Sequence, residues 1–537
     1  MQAQFSFDFG HHFVDVLHWP VAFLVFTEDN VYTPDPETMQ ITRHPEGLSI
    51  TASSFAWAGL QQRASGQFNA QIRYISEGFD CQVTASLHER IKGTAVILKQ
   101  DRLPAHIPTR DYGEASCPAA GALLRYPASL RLPVFPLRNH DGSFTCVASL
   151  DEQVRGKSVA VLPDGREAVI ELHHYEDARQ WSTYQSTPVW RVVRTADPRP
   201  VFQERLDLAQ KHWGLKTWEE RQDVPAWMRQ VGLVLNLHGM HWTGYLFNSY
   251  DQQLEIIRYV TDRLPGRHVL AYLAAWDGRY NYNWPHYHAN AHMGGEEGLR
   301  RLVSEAQARG VHVIPQIGAV SANRRFLPPA LHDCGIEDAF GNKYVKDVDW
   351  DNDRAGDTYR VNANIGHPGF RQFLLDNTQR LKQQYNFDGI FLDINMTFHN
   401  DSRFSIVDGH RQFAQKCHEL FDDFLIFGEN WYDALQPMYP LVHSVTGPVN
   451  GYLQRWPELF ERYCRTTMHL IHPAPSHDKL GSTGVYERGY EPTFDADENI
   501  PVIPAIGFVS DTLREHSQVV DRHIEHARAY LKRQGIV

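Results

Sequence analysis

From the start of the chain to about Pro200, apolar residues recur with a period of two. Phe68, Ala70, Ile72 and Tyr74 alternate with Asn69, Gln71 and Arg73, and Val83, Ala85 and Leu87 repeat the pattern. That spacing belongs to half-buried strands. Pro163-Asp164-Gly165 separates two short apolar runs and predicts a hairpin, because proline presets φ and glycine supplies the positive φ a tight turn needs. Many short strands with little helical spacing predict an antiparallel β-sandwich over residues 1–200. The stretch Ala196-Asp197-Pro198-Arg199-Pro200 stops any strand, and residues 201–224 are expected to form a helical linker.

Beyond about Pro225 the period changes. Runs at 231–237, 269–275, 311–317, 389–394 and 424–427 are almost continuously apolar, as parallel strands buried on both faces are. Between them, Leu299, Leu302, Val303 and Ala306 follow helical spacing and stop at Gly310, and Phe370, Phe373, Leu374 and Leu381 form a second stripe. Weaker strand candidates lie at 442–445, 466–472 and 501–509, and a closing helix is expected over 511–533. Eight strands in residues 225–537 predict a (β/α)8 barrel of TIM type. A doubly wound sheet is the alternative.

Composition narrows the partners. The chain has 537 residues, with 52 Lys+Arg against 64 Asp+Glu and a net charge of −12. An acidic chain is a poor electrostatic partner for nucleic acid or an anionic membrane surface. No apolar run approaches the roughly 18 residues of a membrane span, and the N-terminal residues lack the basic start and apolar region of a signal peptide. Either a cytoplasmic location or a secreted chain whose signal has already been removed is therefore expected. Six scattered cysteines without a C-x-x-C pair read as idle thiols. His286, His288 and His292 lack the spacing of a helical metal pair and read as loop residues, so neither metal nor cofactor is expected. Oligomeric state stays open.

In a parallel barrel, chemistry sits at the C-terminal ends of the strands. Two of those ends carry carboxylates. Asp388-Gly389-Ile390-Phe391-Leu392-Asp393-Ile394-Asn395 places Asp393 and Asn395 on the axis-facing side by alternation, with Asp388 at the opposite, structural end. Leu425-Ile426-Phe427-Gly428-Glu429-Asn430-Trp431 ends its apolar run on Glu429, where a carboxylate is costly unless it is paired or at the mouth. One helix separates the two strands, so they are expected to be neighbours. Carboxyl groups on adjacent strand ends can approach the separation of about 5 to 5.5 Å that retaining glycosidases need. There one acid attacks the anomeric carbon and the other serves in turn as acid and base.

The run Asn364-Ile365-Gly366-His367-Pro368-Gly369-Phe370-Arg371, then Tyr385-Asn386-Phe387-Asp388-Gly389-Ile390-Phe391-Leu392-Asp393, and later Phe427-Gly428-Glu429-Asn430-Trp431, resembles the barrel of glycoside hydrolases related to the α-amylase clan. It is also similar to less characterised glycosidase-like barrels with an Asn-x-x-His-Pro-x-x-Arg element. The resemblance implies that Asp393 is the nucleophile, Glu429 the acid/base, and Asp478 of the His477-Asp478 pair a third carboxylate. The sequence departs from the α-amylase pattern at Phe391, where that family has arginine, in lacking its third-strand Asp-x-Val-x-Asn-His motif, and in having no β-domain after the barrel. The N-terminal sandwich is similar to that of enzymes of the α-galactosidase and α-glucosidase type.

The expected function is a retaining glycoside hydrolase, with an α-glycoside favoured and an oligosaccharide or glycoside as substrate. Alternatives are a catalytically silent carbohydrate-binding barrel and a transglycosylase using the same acids. His238, Trp242, Trp276, Asp277, Gln316, Asn395, Trp431 and Asp478 are the expected substrate-binding residues. Aromatic faces stack on pyranose C–H faces, and polar groups hold the hydroxyls.

Overall fold

The computed structural model describes residues 12–109, 112–241, 244–279, 282–343, 360–444, 456–469, 502–509 and 512–537. The chain divides into two compact units. The first comprises the described residues up to 214 with 400–403, and the second comprises the remaining described residues from 215 onward.

The first unit is built on one hydrogen-bonded network of 16 antiparallel strands. Its centre is the long strand Gly78–Gln100, which pairs along its length with Trp19–Thr27, Gln62–Ile75, Glu167–Tyr175, Ser182–Ser186 and Trp190–Thr195. The period-two residues Phe68, Ala70, Ile72, Val83, Ala85 and Leu87 all point inward and are buried. The expected hairpin is present: Asp164 pairs with Glu167, and Gly165 turns the chain at φ +62°. The helix Arg199–Trp213 belongs to this unit, burying Val201, Phe202, Leu206 and Ala209, with the Phe202 ring edge-on to Tyr112 at 4.8 Å. It ends at Gly214, whose φ of 71° only glycine adopts cheaply.

The second unit is a closed barrel of eight parallel strands. In order these are Leu233–Met240, Val269–Arg279, His312–Gly318, Gly389–Asp393, Leu425–Gly428, Leu441–Ser444, Arg465–His469 and Ile503–Phe508. Pairing of the first with the eighth (Val234 to Ala505) closes the circle and excludes the doubly wound alternative. The interior is packed with rings and aliphatic side chains. Tyr272 stacks on Phe391 at 4.5 Å, Phe427 meets Phe391 edge-on at 4.8 Å, and the Asn236 amide donates to the Tyr272 hydroxyl.

Three helix starts in this unit are fixed by side-chain caps. Ser249 and Gln252 form a reciprocal capping box at Tyr250–Thr261, and Ser405 caps Ile406–Leu420. The Asn-x-x-His-Pro-x-x-Arg element is another such device. His367 Nδ1 accepts from Phe370 N–H, Pro368 occupies the first turn, Arg371 donates to the Ile365 and Gly366 carbonyls, and Asn364 donates to the Phe404 carbonyl. The motif that carried much of the resemblance therefore builds the entry to the helix preceding the fourth strand.

Candidate active site

Asp393 ends the fourth strand and is only 1% exposed. Its Oδ2 accepts from Gln316 Nε2 at 2.9 Å. Gln316, near the end of the third strand, is itself held, because its Oε1 accepts the Ala275 N–H at 3.1 Å and its carbonyl accepts Trp276 Nε1 at 2.9 Å. A charge-assisted bond from an amide fixed on both sides orients the carboxylate without neutralising it.

Glu429 follows the fifth strand and is half-buried. Its Oε2 accepts the Ile394 N–H at 2.7 Å, and its own N–H donates to the Leu392 carbonyl at 3.0 Å. The Glu429 carboxylate is thus anchored to the residue directly after Asp393. Ile394 has φ +59°, an unusual conformation for a β-branched residue, with a cost on the order of 1–3 kcal/mol. The chain turns there, and the turn presents an N–H to the second acid.

That turn also redirects Asn395. Alternation extended past Asp393 places Asn395 toward the axis, but the strand ends at Asp393, and Asn395 instead braces the fifth strand. Its Nδ2 donates to the Asn430 carbonyl at 2.9 Å, and its Oδ1 accepts the Asn430 N–H at 3.0 Å. Gly428 makes room for it, since a Cβ there would lie 2.5 Å from Asn395 Nδ2.

The second strand shows the same effect. Ala275 has φ +50°, and Trp276, expected to stack on substrate, is fully buried, with ring contacts to Tyr385 and Phe387 at 6.4 and 6.2 Å. Trp431 is likewise buried and packs on Phe460 at 4.8 Å. Both indoles pack against neighbouring aromatic rings. His238 is buried with its ring edge-on to Phe247 at 4.9 Å. Trp242 and Asp478 lie outside the described residues.

Asp277, one residue past Trp276, is 1% exposed. Burial pushes its pKa up to about 7, an effect the nearby backbone N–H groups of Asp277 and Tyr287 oppose only in part. Among the described residues no group reaches hydrogen-bonding geometry with either oxygen. A buried acid with such a shift near a strand end is a candidate for a functional position.

Two tyrosines were missed by sequence reasoning. Tyr287 OH accepts the Gly318 N–H at 3.0 Å, and its pKa is raised first by burial and further by the charges of Asp277 and Asp393. Tyr250 OH donates to the Trp276 carbonyl at 2.7 Å and accepts the Asn290 N–H at 2.9 Å. Both stand in stretches that carry ordinary helix or loop signals, so nothing local singles them out. His286 and His288 have rings 4.7 Å apart, and burial lowers both pKa values, with Arg380 adding to the effect.

A closed parallel barrel with an antiparallel β unit before it is the architecture of a group of glycoside hydrolases. An α-N-acetylgalactosaminidase from Bifidobacterium bifidum in complex with GalNAc superposes with a TM-score of 0.65 at 14% identity, covering 94% of this chain and 88% of that one. Its ligand-free form gives 0.67 at 12% identity, covering 97% and 93%. A GH36 α-galactosidase from Geobacillus stearothermophilus gives 0.51 at 10% identity, covering 96% and 76%. At such identities the likeness is one of fold. No protein-family model matches the sequence, and no curated protein matches it.

Proposed function

We propose that this chain is a retaining glycoside hydrolase acting on α-glycosides of galacto configuration. The observation that carries the reading is the bond from Ile394 N–H to Glu429, which sets an acid on the fifth strand against the residue following the buried Asp393. Asp393 attacks the anomeric carbon, oriented by Gln316. Glu429 protonates the departing oxygen and then takes a proton from the water that hydrolyses the glycosyl ester.

The motif resemblance to the α-amylase clan supports the same division of roles between a fourth-strand Asp and a fifth-strand Glu. The galacto preference draws on the names of the structures with this fold, two of which are an α-galactosidase and an α-N-acetylgalactosaminidase. Asp277, kept largely protonated below pH 7, is a hydroxyl-binding group that donates as well as accepts.

The test is turnover of 4-nitrophenyl α-galactoside and α-N-acetylgalactosaminide with NMR detection of the first product anomer. An α product formed first supports double displacement. A β product indicates inversion, and tight binding without turnover indicates a silent sugar-binding barrel; either contradicts the proposal.

A further inference from the structure

The first unit carries a feature that the barrel chemistry does not use. On the solvent face of its sheet, Gln40, Thr51, Asn69, Thr84 and Ser186 stand in one row across five hydrogen-bonded strands, each in register with the next. A parallel row on one side contains Gln67, Ser86 and Tyr184. A third, on the other side, contains Thr42, Ser49, Gln71 and Gln82.

None of these side chains is charged, in a chain where 22% of residues are. Charge returns beyond these rows, where Arg73 and Arg191 both bond Asp80 at 2.7 Å on one side and Arg63 pairs with Asp35 at 2.7 Å on the other. The intervening residues Ile50, Ala52, Phe68, Ala70, Val83 and Ala85 turn inward and are buried. The face is thus a lattice of hydroxyls and amides, repeating every ~4.8 Å across the strands. Several of these groups are oriented by their neighbours: Gln71 Nε2 donates to Asn69 Oδ1 at 2.8 Å, and Gln82 Nε2 donates to the Thr187 carbonyl at 3.1 Å. A trough of about 440 Å³ runs over the Gln67, Asn69, Thr84 and Ser86 positions and is bordered by Tyr184, which is 59% exposed.

We infer that this face is a second, non-catalytic carbohydrate site that takes a neutral oligosaccharide chain. An uncharged trough disfavours ions, which find no counter-charge there. A protein partner is disfavoured as well, because protein interfaces centre on an apolar core and this face has one aromatic ring at its border. Hydroxyls and amides in a regular array match a polymer of uncharged rings with hydroxyls on both edges, and the Tyr184 face supplies a stacking platform.

The test is native affinity electrophoresis of the full chain through galactomannan, dextran and xyloglucan, with heparin as an anionic control. Asp393→Asn is used beside the unsubstituted chain to suppress turnover. Retardation by at least one neutral polymer in both proteins, none by heparin, and its loss in Gln67→Ala/Asn69→Ala/Tyr184→Ala is the expected result. The substituted side chains face solvent, so an unchanged thermal unfolding transition shows that the triple variant is folded. Retardation by none of the neutral polymers, retardation that survives the triple variant, or retardation by heparin overturns the inference. A self-association abolished by the same substitutions without polymer binding also overturns it. Loss of the barrel's activity in Asp393→Asn leaves this outcome unaffected, so the two proposals fail separately.

Discussion

Asp388 immediately precedes the fourth barrel strand and Asp393 closes it, so one short strand carries the same residue type at both ends. At the lower end, Asp388 Oδ2 accepts the Val313 N–H at 2.8 Å and Gln307 Nε2 at 3.1 Å, while the Asp388 backbone bonds Val313 and Leu425. That aspartate ties three strands together. At the upper end, Asp393 Oδ2 accepts from the Gln316 amide, and Glu429 is anchored to the next residue. The difference lies in what each carboxylate is asked to satisfy. Below, donors from the neighbouring strand and helix satisfy it; above, a barrel side chain orients it beside a second acid.

The sharpest way to break this contrast is Asp393→Asn. It should lower turnover of an α-glycoside on the order of 10⁴-fold or more with the thermal transition nearly unchanged. Glu429→Gln should cost about 10² to 10⁴-fold on substrates with a poor leaving group, and much less on glycosides of acidic phenols, which need no proton. An equal loss for both leaving groups would remove Glu429 from the acid role. Gln316→Ala removes one donor to a charged group, worth about 1.5 to 3 kcal/mol, and should appear as a loss of 10- to 100-fold in kcat/KM.

Asp277 gives a pH signature. Its folded-state pKa is raised from 3.8 to about 7, so the folded chain holds a proton that the unfolded chain has lost. Stability conferred by this group therefore falls as pH rises from about 4 through 7 and is level above that. The slope is at most about 1.4 kcal/mol per pH unit. Denaturant unfolding at pH 5 and pH 7 should differ by about 1 to 3 kcal/mol more in the natural chain than in Asp277→Asn. The smallest effect on activity belongs to Asp388→Ala, which should lower stability by about 1 to 3 kcal/mol while leaving kcat unchanged. An activity loss comparable to that of Asp393→Asn would erase the distinction between the two ends.

Much of the barrel was legible because strands buried on both faces are nearly continuous in apolar residues, as Leu233–Leu237 (broken only by Asn236) and Val269–Ala275 are. The sixth strand was faint, since Leu441–Ser444 has only four residues and takes its strand character from pairing with Phe427 on one side and Thr466 on the other. Asp393 and Glu429 stood out as carboxylates ending apolar runs. The surroundings were harder to read. Alternation holds only while φ stays negative, and both Ala275 and Ile394 break it. Trp276 therefore turns into the layer of Tyr385 and Phe387, and Asn395 turns to the fifth strand. Neither alanine nor isoleucine announces a left-handed turn. The environment of Asp277 depends on Tyr250 and Tyr287, which come together only in three dimensions.

The most direct test of the account is to trap the glycosyl–enzyme intermediate with a 2-deoxy-2-fluoro-α-galactosyl donor bearing a good leaving group, and to map the labelled peptide by mass spectrometry. The account predicts one adduct per chain, on Asp393. An adduct on Glu429 or Asp277, or turnover of the donor with inversion and no adduct, would contradict it.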